Sequence, residues 1–317
     1  MTKQELVRLL ALEDFTPVYE EADRIRRETV GDEVHIRAII EFSNICSRHC
    51  KYCGLNCTNE KVELYQMTKE EILATAREAI EAGYKTIVLQ SGENPDLDRE
   101  WMGSIVKEIN RMGATVTLSI GELSDDDIWY YRDCGADRYL LKHETADPEI
   151  YSSLHPCGTL ESRTHCLITI REAGYETGSG FMIGLPGQTL ETIAEDLLLL
   201  KNLGCKMAGI GPFIPHPETP LKDAVPGDPE LTKRAVALAR ILIPDANLPV
   251  TTALGVINQN AKDNAFSCGA NVVMKKVTPD EYKEAYEIYP AKLDKTTIKE
   301  DRELLERQIK ALGRIPV

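Results

Sequence analysis

No apolar run in this sequence approaches the roughly 20 residues that a helix needs to cross a bilayer. The opening stretch Met1-Thr2-Lys3-Gln4-Glu5-Leu6 starts an amphipathic charged helix and lacks a signal-peptide core. Basic blocks, an Arg-rich tail and an RNA-type aromatic signature are also missing. The formal charge of −14 disfavours a nucleic-acid backbone as partner, because phosphate binding requires positive clusters. No long linker, low-complexity tract or internal repeat breaks the 317 residues, which suit one large barrel or two ordinary domains. These absences point to a cytoplasmic globular chain with no membrane or nucleic-acid partner. The 43% hydrophobic content is enough for a sizeable core.

What the chain does have is cysteine, nine in all. In a reducing compartment nine thiols are a poor disulfide framework, and clustered ones favour metal. Cys134, Cys157, Cys166, Cys205 and Cys268 are scattered and read as small buried apolar residues. Cys46, Cys50 and Cys53 instead share one short loop, with Tyr52 just before the last. Three thiolates can hold three irons of a cubane cluster and leave the fourth iron open to a small molecule. A zinc site would want a fourth ligand, for which His49 or Cys57 would serve by count. Context disfavours it: the loop follows the strand-like run Ile39-Ile40-Glu41-Phe42, and no second cysteine pair lies at zinc-ribbon distance.

Short β-branched runs alternate with helical patterns nearly from end to end. After a helical segment over 3–29, strands are expected at His35–Ser43, Thr86–Gln90, Thr115–Ile120, Arg138–Lys142, Ser179–Ile183, Met207–Gly211, Val250–Ala253 and Asn271–Met274. Helices are expected at Thr68–Ala82, Arg99–Arg111, Asp125–Asp133, Leu160–Glu172, Leu190–Leu203, Pro229–Ile243 and Asn260–Phe266. Thr68 with Glu71 forms a capping box, and Gly83 marks the end of that helix. Repeated right-handed crossovers between buried parallel strands close into an α/β (β/α)8 TIM barrel, here with helical extensions at both ends. One domain over residues 1–317 is expected, with its catalytic groups just after the strands. The cysteine loop, 46–53, follows the first strand.

The cysteine spacing resembles the signature of the radical S-adenosylmethionine (SAM) enzymes. In that family one 4Fe–4S cluster chelates SAM at its open iron and splits it to a 5′-deoxyadenosyl radical. The resemblance extends to the other strand ends. Ser91-Gly92-Glu93 stands where a Gly-Gly-Glu-like turn accepts from the methionyl amino group, with Ser in the first place as a departure. Ser119 ends the third strand; after the fourth, Glu144 can accept from ribose hydroxyls while Arg163 pairs with the methionyl carboxylate. A structural Glu–Arg ion pair is the plain alternative, and Lys142 is either a second cation or a snorkelling lysine. Gly184-Leu185-Pro186-Gly187-Gln188-Thr189 and the run from Met207 to Pro217 resemble the segments beside adenine. His216, flanked by prolines, suits a structural or substrate-side role.

The strings IEFSNIC, VLQSGE, DRYLLKHETA, GLPGQT, GIGPFIPHPETPL, TTALG and CGANVVM together resemble HydE, the radical SAM maturase of FeFe-hydrogenase. That resemblance implies a closed cavity with SAM above and a sulfur- and iron-containing, organometallic substrate below. Cys46, Cys50 and Cys53 would ligate the cluster. Tyr52, Ser91, Gly92, Glu93, Ser119, Glu144, Arg163 and Met207 would contact SAM. Arg138, Thr251, Thr252, Met274, Tyr286 and Tyr289 would line the substrate cavity. The plain readings are strand threonines, packing tyrosines at helical spacing, and an Arg138 that cannot stay buried without a partner or anion. Implied partners are a reduced donor such as ferredoxin or flavodoxin and the other hydrogenase maturases. Some HydE proteins carry a second, three-cysteine cluster near the C-terminus; here no cysteine follows Cys268, and Lys292–Arg314 reads as a charged helix. The alternatives are a methylornithine synthase-like mutase, a sulfur-transfer enzyme of the biotin synthase kind, and a non-catalytic iron–sulfur electron carrier.

Overall fold

The computed structural model describes residues 1–258, 264–290 and 296–317. The predicted helix at 260–266 and the start of that at 292–314 fall partly outside them. Eight parallel strands form the wall: β1 (Glu33–Ser43), β2 (Thr86–Ser91), β3 (Thr115–Ser119), β4 (Arg138–Leu140), β5 (Glu176–Ile183), β6 (Met207–Pro212), β7 (Pro249–Val250) and β8 (Val272–Lys276). They pair in the order β6-β5-β4-β3-β2-β1-β8-β7. A parallel bridge between Met207 and Asn247 brings the two ends together, with Ala208 N–H donating to Asn247 O at 3.0 Å. The result is the predicted (β/α)8 barrel, with β9 (Ile315–Pro316) added beside the start of β1.

Each crossover carries its helix outside the wall: α3 (Lys69–Glu81), α4 (Arg99–Arg111), α5 (Asp125–Asp133), α7 (Leu160–Glu172), α8 (Leu190–Asn202) and α9 (Pro229–Leu242). The capping box opens α3 as expected: Thr68 Oγ1 accepts from Glu71 N–H at 3.3 Å, and the Glu71 carboxylate accepts from Thr68 N–H at 2.7 Å. Such a cap contributes about 1 kcal/mol. Alternate residues on the strands (Ala38, Ile40 and Phe42 on β1; Val116 and Leu118 on β3) face the helices and form the core. The residues between them point into the barrel.

Local chemistry explains three departures from the sequence reading. The segment over 3–29 is two helices, α1 (Lys3–Leu10) and α2 (Thr16–Thr29), because Pro17 sits in the first turn of a new helix. The seventh strand is only Pro249–Val250. Thr251 then caps α10 (Thr252–Ile257), its hydroxyl accepting from Leu254 N–H at 3.4 Å. A short helix not foreseen, α6 (Pro148–Leu154), starts at the Asp147-Pro148 cap and stands over the barrel mouth. The C-terminal helix α12 (Ile298–Ala311) lies against the wall through a 2.9 Å pair between its buried Asp301 and Lys275, after the single turn α11 (Asp280–Lys283). Cys134, Cys166, Cys205 and Cys268 are buried as expected, whereas Cys157 is exposed.

Candidate active site

The cysteine loop leaves β1 at the C-terminal end of the barrel and is held by main-chain bonds from three sides. Ser47 N–H donates to Glu93 O at 2.8 Å, Lys51 N–H to Leu154 O at 3.0 Å, and Gly54 N–H to Ile288 O at 3.0 Å. Within the loop, Asn56 Nδ2 donates to Cys53 O at 2.7 Å. Asn44 clamps its base, donating to Glu63 O at 2.7 Å and Ala285 O at 2.8 Å. Gly92 packs directly under it: a Cβ there would lie 2.4 Å from Ile45 O and 2.7 Å from Cys46 Cβ. The turn after β2 therefore fits against the first cysteine only as glycine.

All nine cysteines are unpaired. Burial, with Cys46 close by, pushes the Cys50 thiol up to about 12, and burial with Cys50 close by raises Cys53. Two buried thiols that resist ionising beside each other mark a site short of positive charge, which iron would supply. Among the described residues no three His, Cys, Asp or Glu side chains converge on a single metal ion. In a cubane each thiolate takes a different iron, so the three need not converge on one ion. The donor set thus suits a 4Fe–4S cluster with one open iron.

Around the loop runs a charged network. Arg48 pairs with Glu93 and reaches Cys157 O. Arg163 Nε lies 2.9 Å from Glu122 Oε1 and donates to Tyr151 Oη at 3.2 Å. The plain alternative, a structural Glu–Arg pair, therefore exists for Arg163, but its acid is Glu122 and not Glu144. Glu144 is held instead by Lys142, 2.9 Å from its Oε2. Burial pushes the Glu144 carboxyl up, but the Lys142 ammonium, together with His155 and Arg163 close by, keeps the group below its ordinary value. Tyr52 Oη lies 2.7 Å from His155 Nε2. Burial lowers His155 to about 4, so its ring is neutral and Nε2 accepts from Tyr52 while Nδ1–H faces Tyr151 O at 3.2 Å.

A cavity of about 250 Å³ borders the loop at Tyr52. Tyr52, Lys142, Glu144 and the β6 end, Gly209 and Gly211–Ile214, form one side. Thr251, Thr252, Met274, Tyr289, Gln90 and a buried ion pair, Lys276 Nζ to Glu41 Oε1 at 2.7 Å, form the other. Tyr286 stands behind, its hydroxyl accepting from Gln90 Nε2 at 3.1 Å. Of the SAM-side candidates Tyr52 and Glu144 thus face Thr251, Thr252, Met274 and Tyr289 across one space, whereas Arg163 lines a separate small crevice with Cys50, Tyr151 and His155. Ser91 and Ser119 end their strands beside it, and Ser91 Oγ donates to Gly92 O at 2.7 Å.

Two further candidates lie deeper in the barrel. Met207 faces into the barrel, but at the start of β6, and its sulfur accepts from Arg37 Nη1 at 2.9 Å. Strand register puts it two inward layers below Gly211, outside the lining of the cavity. Arg138 shares the inward face of β4 with Leu140 but sits one layer lower, paired with Glu176 at 2.8 Å and bonded to Thr86 Oγ1 at 3.2 Å. It borders the barrel floor, not the described cavity.

A family model for the radical SAM superfamily matches residues 40–200, the span from the strand before the cysteine loop to α8. The FeFe-hydrogenase maturase subunit HydE of Thermotoga maritima is 52% identical over 276 residues, 87% of this chain and 79% of that protein. The chain belongs to the HydE family of radical SAM enzymes. A 3-methylornithine synthase of Methanosarcina acetivorans is 26% identical over 93% of this chain and 85% of its own. A crystal structure of methylornithine synthase (PylB) superposes with a TM-score of 0.88, covering 100% of this chain and 94% of that one, at 24% identity. At that identity the match speaks for the barrel alone. Radical SAM enzymes use a 4Fe–4S cluster and SAM, and this HydE-family loop carries three thiols. Sequence reading missed Arg48, Glu122, Tyr151 and His155. Only Glu122, directly after Gly121 at the third strand end, carried a positional signal.

Proposed function

We propose that this chain binds one 4Fe–4S cluster through Cys46, Cys50 and Cys53 and acts, like HydE, in assembling the FeFe-hydrogenase active site. The observation that carries it is one cavity bordered by Tyr52 of the cysteine loop and Glu144 on one side and by Thr251, Thr252, Met274 and Tyr289 on the other. When bound, the cluster supplies the electron that splits SAM into methionine and a 5′-deoxyadenosyl radical. Tyr52, held by His155, borders the adenosyl space. Glu144, kept ionised by Lys142, accepts from the ribose hydroxyls, and Arg163 offers its remaining N–H groups to the methionyl carboxylate. The carbonyls of Ser91 and Gly92 and the hydroxyl of Ser119 receive the methionyl amine; Glu93 acts through Arg48 by bracing the loop.

On the far side Thr251, Thr252, Met274 and Tyr289, backed by Tyr286, enclose a sulfur- and iron-containing small molecule and exclude water. Reduced ferredoxin or flavodoxin and the other maturases are its partners in the cytoplasm. No described helix is long and apolar enough to cross a membrane. One domain, residues 1–317, carries the reaction.

The similarity to 3-methylornithine synthase supports a second reading, an amino acid mutase on the same barrel. The two separate in a cell-free maturation assay. Purified chain in place of HydE should restore hydrogenase activity, whereas lysine turnover without restoration would replace the maturase reading with the mutase.

A further inference from the structure

Glu144 is the only non-glycine residue with positive φ among the described residues, at 64°. Thr145 N–H donates to His143 O at 2.8 Å, two residues back, so Glu144 is the apex of a γ-turn with a left-handed centre. That turn is rare and strained, and it persists only where the surroundings over-determine it.

Its supports are all buried. Glu144 N–H donates to Gly180 O at 3.0 Å, and Met182 N–H to Glu144 O at 3.1 Å, stitching the apex to β5. The side chain of Glu144 turns into the cavity, whereas His143 points outward between β5 and α8. There Ser179 Oγ lies 2.9 Å from His143 Nδ1 and accepts from His143 N–H at 3.2 Å. Asp196 of α8 accepts from Ala146 N–H with Oδ1 and presents the same atom to His143 Nε2 at 3.6 Å. His143, Ser179 and Asp196 are each 0% exposed. His143 Nε2 and Asp196 Oδ2 have no hydrogen-bond partner, an expense that needs a reason. Burial agrees with an uncharged ring, lowering His143 to about 3 and raising Asp196.

We propose that Ser179, His143 and Asp196 are positioning residues that hold Glu144 at its strained apex and so present its carboxylate to SAM. They grip both flanks of the turn: Ser179 on the His143 side, Asp196 on the Ala146 side, with His143 and Asp196 facing each other behind it. No member reaches the cavity, so the group acts on the reaction only through Glu144. The inference rests on the reading that Glu144 contacts SAM.

The test has two parts. In the unloaded chain, Glu144→Gly should melt about 2 °C or more above Glu144→Ala, since only glycine takes a left-handed φ freely. Asp196→Ala should then lower the melting temperature less in the Glu144→Gly background than in the parent. Equal losses in both backgrounds would overturn the proposal, independently of SAM. In the reconstituted enzyme, Asp196→Ala and Ser179→Ala should bind SAM roughly tenfold more weakly by equilibrium dialysis, the scale of one strained residue. Asp196→Asn, which keeps an acceptor for Ala146 N–H, should recover most of that loss. If Glu144→Ala leaves SAM affinity unchanged, the reading of Glu144 fails. If Glu144→Ala weakens SAM but both supporting variants bind like the parent while folded, the positioning role fails.

Discussion

Gly92→Ala isolates the fit between the β2 turn and the cysteine loop. The φ of Gly92 is outside the left-handed range, so alanine meets no backbone penalty there. The cost is contact: the new methyl would sit 2.4 Å from Ile45 O and 2.7 Å from Cys46 Cβ. Ordinary contact needs about 3.4 Å or more, so one partner must move by about 1 Å. The strand side resists, because Gly92 N–H is bonded to Ser43 O at 3.0 Å and Glu93 O to Ser47 N–H at 2.8 Å. Displacement therefore falls on Cys46, at a cost of about 1–3 kcal/mol. The assay is iron and acid-labile sulfide per chain after anaerobic reconstitution, with a urea melt of the unloaded protein. We expect a folded variant that loses most of its cluster. Gly158→Ala, whose methyl would meet nothing nearer than 3.6 Å, is the control and should load fully. A Gly92→Ala variant with a full cluster and unchanged stability would refute the reasoning.

Three further outcomes follow from the geometry. Lys276→Met strands the buried Glu41 carboxylate, whose pKa burial already raises, and should cost about 3 kcal/mol in a urea melt at neutral pH. The double variant with Glu41→Gln should recover most of it, and a single-variant loss under about 1 kcal/mol would contradict the pair. His155 titrates near 4 in the fold against about 6.5 unfolded, so the unfolded chain binds more protons between those values. Stability is complete above about pH 6.5 and falls toward pH 4 by up to about 1.4 kcal/mol per unit, a slope that His155→Gln should reduce. Met207→Leu, two layers beneath the mouth, should leave SAM affinity within about twofold, since the swap conserves volume; a tenfold loss would return Met207 to the SAM site.

The barrel was legible because its strands and helices carry strong local signals. Thr68 with Glu71, Asp98 before α4 and Ser124 before α5 each cap the helix that follows. The cysteine loop was legible by spacing. Partner choice was not: Arg163 pairs with Glu122 and Glu144 with Lys142, which depends on how α7 leans over the third and fourth strand ends. Depth was lost as well, because Met207 and Gly211 share one face of β6 and only strand register separates floor from mouth. At Thr251 β propensity competed with capping, and the cap prevailed because the hydroxyl reaches Leu254 N–H. Tyr151 and His155 were missed because α6 is a seven-residue insertion, too short for its buried Ile150, Tyr151 and Leu154 to stand out as a period.

The most direct measurement is product release from the reconstituted chain given dithionite and SAM under anaerobic conditions. The account predicts methionine and 5′-deoxyadenosine in equal amounts, and none from a Cys50→Ala variant that melts like the parent but binds no 4Fe–4S cluster. An intact cluster by electron paramagnetic resonance with neither product formed, or a full cluster retained by Cys50→Ala, would contradict it.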